Sequence, residues 1–114
     1  KRLSTLLEKF GVSAYLAGHE HCVEVIEDAG VVHMVSGAAS ECCYPAVNLH
    51  TVPKGSLKFL HAADGDQKQD KLTGFAVLTI SHEPDLGAYV TASIVGRDGG
   101  TMFTSEPIIE RRIA

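Results

Sequence analysis

The sequence predicts an α/β (α+β) chain, mostly strands with one N-terminal helix, and two observations carry that reading. The first is the opening segment, where Leu3, Leu6, Leu7 and Phe10 follow the i, i+3, i+4, i+7 spacing of an amphipathic helix. The second is the remainder, a series of short apolar or alternating runs bounded by Gly, Pro, Asn or Asp.

Taken in order, the helix stops at Gly11, where a left-handed C-terminal cap belongs. Its front carries no comparable signal. Lys1 and Arg2 suit the positive end of a helix dipole poorly, and Ser4 could cap only a shorter helix. The chain is therefore expected to start within an element and to be the tail of a longer protein. Val12 to Ala17 is an apolar strand that reads as buried on both faces. Cys22 to Glu27 and Val31 to Ser36 form a hairpin through Asp28-Ala29-Gly30. From Gly37 to Ser56 periodicity is lost and Pro45 and Pro53 intervene, as in a loop that is functional or wraps another part of the molecule. Leu57 to His61 is a short strand, and Phe75 to His82 is apolar on both faces. Tyr89 to Val95 alternates, and Met102 to Ser105 begins a last strand after the turn at Arg97-Asp98-Gly99-Gly100. The polar stretch Ala63 to Leu72 reads as a solvated loop. Its Asp64, Asp66 and Asp70 lack the Gly and terminal Glu spacing of a calcium loop.

At 114 residues and 45% hydrophobic, the chain has the size of one domain. Its net charge of −4 is spread along the sequence without a basic stripe, which removes the electrostatic basis for a nucleic-acid partner. The unbroken apolar runs are too short for a membrane-spanning helix. Cys22, Cys42 and Cys43 make an odd count, so at least one thiol is free or pairs outside the chain.

The chemistry concentrates in Gly18-His19-Glu20-His21, at the end of the first apolar strand. Ligands gather beyond the carboxyl ends of strands in α/β sheets. In an extended segment, histidines at i and i+2 point the same way with Cα atoms roughly 6–7 Å apart. That spacing suits two metal ions about 3.5–4 Å apart, each taking one imidazole. Two ligands cannot hold such a pair, so carboxylates and further imidazoles must come from elsewhere. The other histidines, His33, His50, His61 and His82, stand alone and read as surface or satisfied interior residues. Ser36 and Ser40 bracket Gly37-Ala38-Ala39 without the spacing of a nucleophile elbow.

The run Phe10-Gly11-Val12-Ser13-Ala14-Tyr15-Leu16-Ala17-Gly18-His19-Glu20-His21 resembles the segment of purple (tartrate-resistant) acid phosphatases that holds the last metallophosphoesterase motif, Gly-His-x-His. The resemblance continues through Gly30 to Ala38 and resumes at Gly74-Phe75-Ala76-Val77-Leu78-Thr79-Ile80-Ser81, while Ser40 to Lys54 diverges. It implies the C-terminal portion of a single catalytic domain, built as a four-layer αββα sandwich, with residues 1–114 present and the N-terminal portion absent. It also implies a binuclear centre of Fe(III) with Fe, Zn or Mn, in which His19 ligates the divalent ion and His21 the trivalent iron. The implied reaction is hydrolysis of phosphomonoesters or phosphoproteins by metal-bound hydroxide, in a secreted or lysosomal/vacuolar setting. The remaining ligands and the catalytic histidines of the family lie upstream of this chain, so the chain alone is expected to be inactive. Tyr15 and Tyr44 fall on the wrong side of the motif to be the family's tyrosinate. Glu20 stands where the small mammalian enzymes have Asp, and Cys22 where they have Asn. A phosphatase-like scaffold or receptor without activity, or a related phosphodiesterase, would use the same segment.

Overall fold

The computed structural model describes residues 2–39, 43–62 and 73–111. Ser40, Cys42 and the loop bearing Asp64, Asp66 and Asp70 lie outside the described residues. The chain is mixed α/β: one helix, α1 (Arg2–Lys9), and eight strands among the described residues, β1 (Ala14–Ala17), β2 (Val23–Asp28), β3 (Val31–Ser36), β4 (Leu57–His61), β5 (Gly74–Glu83), β6 (Gly87–Gly96), β7 (Thr101–Thr104) and β8 (Ile108–Ile109). The two-residue strand at the end, β8, carried no sequence signal because two residues are too few to show alternation.

The helix ends as its sequence dictates. Gly11 takes the left-handed conformation at φ 63°. Its N–H donates to the Glu8 carbonyl and that of Val12 to the Leu7 carbonyl, the paired bonds of a Schellman cap. The β2–β3 hairpin turns through Ala29 and Gly30, both at positive φ, as in a type I′ turn.

Two four-stranded sheets form. The first runs β1-β3-β2-β4, with β1 parallel to β3 and the other neighbours antiparallel. The second is built on the β5–β6 hairpin, paired from Gly74–Gly96 to Glu83–Gly87, with β7 and β8 on the far side of β6. Period-two alternation sends Val23 and Val25 of β2 and Ala92 and Ile94 of β6 into one core, with Met34, Ala38 and Cys43. Phe59 and Phe103 meet across the sheets at 5.3 Å between ring centroids. The Ala76 N–H also donates to Ser36 Oγ, so Ser36 joins the two sheets, in keeping with a structural rather than nucleophilic role.

Two strands differ from expectation. Val12 to Ala17 and Phe75 to His82 read as buried on both faces, yet Tyr15 and Leu16 of β1 and Phe75, Val77, Leu78 and Ile80 of β5 are exposed, Ile80 to 79%. Both strands stand at sheet edges, and because consecutive residues on each are exposed, neither face is fully covered by the described residues, although Ala76 of β5 packs against the shared core. None of the described helices is long and apolar enough to cross a membrane.

Candidate metal centre

Topology dictates the shape of the Gly-His-Glu-His turn. β3 lies between β1 and β2, parallel to the first and antiparallel to the second. The connection from Ala17 to Val23 therefore crosses the carboxyl end of β3. It passes directly over Gly37, where an added Cβ would overlap the Glu20 carbonyl oxygen and lie 2.8 Å from its carbon. Only a residue without a side chain admits that approach. Three backbone bonds then fix the turn: Cys22 N–H to the Glu20 carbonyl (2.8 Å), Gly37 N–H to the Cys22 carbonyl (3.0 Å) and Tyr44 N–H to the His21 carbonyl (2.8 Å).

This crossing bends the motif, which corrects the expectation of an extended segment. His19 adopts φ 77°, in the left-handed region. Its side chain is 95% exposed, with Nδ1 3.9 Å from Glu20 Oε1. His21 is half-buried and faces a cavity of about 440 Å³ whose walls include Glu20, Cys22, Glu24, Tyr44 and Asn48. His19 does not line that cavity. The structure thus keeps both histidines on one turn and gives them different surroundings.

The His21 ring has two distinctive features. It stacks on Tyr44 at 4.4 Å between centroids, with the planes 10° apart. Its Nδ1 is buried and has no hydrogen-bond partner among the described residues. A buried polar atom left unpaired is costly, so one at a metal-binding residue type fits a site completed by a ligand. Local electrostatics suit a cation. Burial, then the charges of Glu24 and Glu20, push the Cys22 thiol up to about 11. Burial, then the Glu20 charge, raises the Glu24 carboxyl above its usual range. The donor set is incomplete, since no group of three His, Cys, Asp or Glu side chains that could hold a metal exists among the described residues. The residues present fit part of a metal centre.

The other histidines lie elsewhere. His33 sits on β3 with its ring 6.2 Å from Tyr15. His50 lies on a 3-10 turn at Leu49–Thr51, His82 is exposed on β5, and His61 closes β4 with its Nε2 buried and unpaired among the described residues. Cys22 is free and Cys43 is disulfide-bonded. Gly37 and Tyr44 escaped sequence reading as site residues. Their one available signal was position, at the start of the long aperiodic loop after β3.

No protein-family model matches the chain. Among curated proteins it is 36% identical to the type 5 tartrate-resistant acid phosphatase of Oryctolagus cuniculus over 94 residues, 82% of this chain and 27% of that protein. The Homo sapiens protein of the same name is 35% identical over the same shares. That of Sus scrofa is 33% identical over 82% of this chain and 26% of its own length. The chain thus spans about a quarter of the relatives it matches, and over that span it is homologous to the tartrate-resistant (purple) acid phosphatases.

Proposed function

We propose that this chain is the C-terminal part of a binuclear-metal acid phosphatase that hydrolyses phosphomonoesters, and that His19 and His21 contribute two of the metal ligands. The observation that carries the reading is the unpaired, buried Nδ1 of His21, at the carboxyl end of a parallel strand in a chain homologous to acid phosphatases. Fe(III) paired with Fe, Zn or Mn is the centre that the family resemblance points to, and imidazole is a suitable ligand for each. When bound, such a pair supplies the Lewis acidity that polarises a phosphate ester and activates water. The chain's own part is positional. The Glu20–Gly37 approach and the three backbone bonds hold the turn, while Glu20 and Glu24 supply negative charge around it. The missing donors come from the rest of the protein.

The test is made in the full-length protein with His19→Ala and His21→Ala. Metal per chain is measured by elemental analysis, and turnover of a chromogenic aryl phosphate at mildly acidic pH. Both variants should lose metal together with activity. Full metal stoichiometry in both would overturn the ligand assignment.

A further inference from the structure

We propose that Tyr44 is a positioning residue for His21, setting the plane of the imidazole by stacking. The proposal rests on the reading of His21 as a metal ligand.

A histidine's χ2 is a broad, roughly two-fold torsion, so the side chain alone does not choose a ring plane. Metal-ligating histidines are usually oriented by a hydrogen bond from the second ring nitrogen to a carboxylate or carbonyl. At His21, Nδ1 is the nitrogen left unpaired among the described residues and so the one open to a ligand. The neighbouring restraint is the Tyr44 ring, face to face at 4.4 Å and 10°. Tyr44 is itself tied to the motif, because its N–H donates to the His21 carbonyl at 2.8 Å. Backbone and ring of one residue thus grip backbone and ring of the other. Both rings line the same cavity, so Tyr44 borders the space that a ligand of His21 would occupy. With Gly37 admitting the turn from one side and Tyr44 clamping the ring from the other, the imidazole is pre-set before any metal arrives. Tyr44 remains 43% exposed, so its removal takes little from the core.

The experiment compares Tyr44→Phe, Tyr44→Leu and His21→Ala in the full-length protein. Retained metal is followed against rising chelator concentration, and the metal-free unfolding midpoint is measured for each. Tyr44→Phe should hold metal like the parent. Tyr44→Leu, apolar but smaller and without an aromatic face, should release it at roughly 3- to 10-fold lower chelator, the scale of one aromatic stack. Its metal-free midpoint should match that of Tyr44→Phe. Equal retention by Tyr44→Leu and the parent would overturn the proposal. So would equal losses in both Tyr44 variants, which would assign the effect to the hydroxyl, or a loss in Tyr44→Leu matched by a lowered metal-free midpoint. His21→Ala separates the two levels. Full metal there sinks the ligand reading and this proposal with it, whereas metal loss there and none in Tyr44→Leu sinks only the stacking role.

Discussion

The carbonyl of Glu20 occupies the space that a side chain on Gly37 would need. The contact follows from strand order, since a link between β1 and β2 must pass over the end of the β3 strand that separates them.

Gly37→Ala is therefore expected to push the histidine turn away from β3. Overpacking against backbone costs about 1–3 kcal/mol, because no side chain is available to rotate aside. In the full-length protein, denaturant unfolding should show that loss, and metal content should fall with it. Wild-type stability and full metal in Gly37→Ala would mean that the turn has room to spare.

The pH response should carry the mark of His61. Burial lowers the His61 pKa from the ordinary 6.5, and its Nε2 is buried without a partner among the described residues. The folded chain thus resists a proton that the unfolded chain accepts near 6.5. The contribution is fully present above that pH and is lost as pH falls through the depressed folded value. His61→Phe, which also keeps a ring beside Phe59, removes this term. The unfolding midpoint of the variant should gain on the parent between about pH 7.5 and 5. A constant difference across that range would show that His61 ionises alike in both states.

Much of the fold was legible because its periodicities are strong. Val31–Ser36 and Leu57–His61 coincide with β3 and β4, and Gly11 caps the helix as its position implied. The chemistry-bearing turn was legible as residues but not as geometry. Spacing alone makes His19 and His21 two ends of an extended triplet. What bends them is the insertion of β3 between β1 and β2, a long-range pairing invisible to any local pattern. Tyr44 was missed for a related reason, since ring stacking across 23 residues leaves no sequence periodicity. The burial of β1 and β5 was overestimated because apolar composition records what a surface is suited to meet, and the described residues supply no layer for those faces.

Arg111, the last described residue, should act as a latch onto the segment just before β1. Its N–H donates to Ser13 Oγ at 3.1 Å and its Nη1 to the Val12 carbonyl at 3.2 Å, across 98 and 99 positions of sequence. The guanidinium also lies along Gly30 in the hairpin turn. Arg111→Ala would keep the first bond, remove the second and uncover the turn. A partly buried bond from a charged donor contributes about 1.5–3 kcal/mol, so a loss near the lower end is expected. Denaturant unfolding at constant m-value measures it. A change of under about 0.5 kcal/mol would class Arg111 with ordinary surface residues.

Residues 1–114 expressed alone are expected to associate and to lack phosphatase turnover. The apolar face of α1 is open, with Leu3, Leu6 and Phe10 all exposed, Phe10 to 62%. Tyr15 and Leu16 of β1 are exposed on opposite faces of the strand, and Val77, Leu78 and Ile80 add a second apolar stretch on β5. Among the described residues β1, β4 and β5 also end their sheets without a neighbour, leaving backbone donors and acceptors free to pair with another chain. Exposed apolar faces next to open strand edges drive self-association unless another layer covers them. Two imidazoles on one turn recruit a metal pair poorly, because binding must offset ligand deprotonation and desolvation. Light scattering and size exclusion of the purified chain should therefore show oligomers or aggregates, and added divalent metal should elicit no hydrolysis of an aryl phosphate. A soluble monomer with one sharp unfolding transition would show that these faces are tolerated in water and that the chain folds without help.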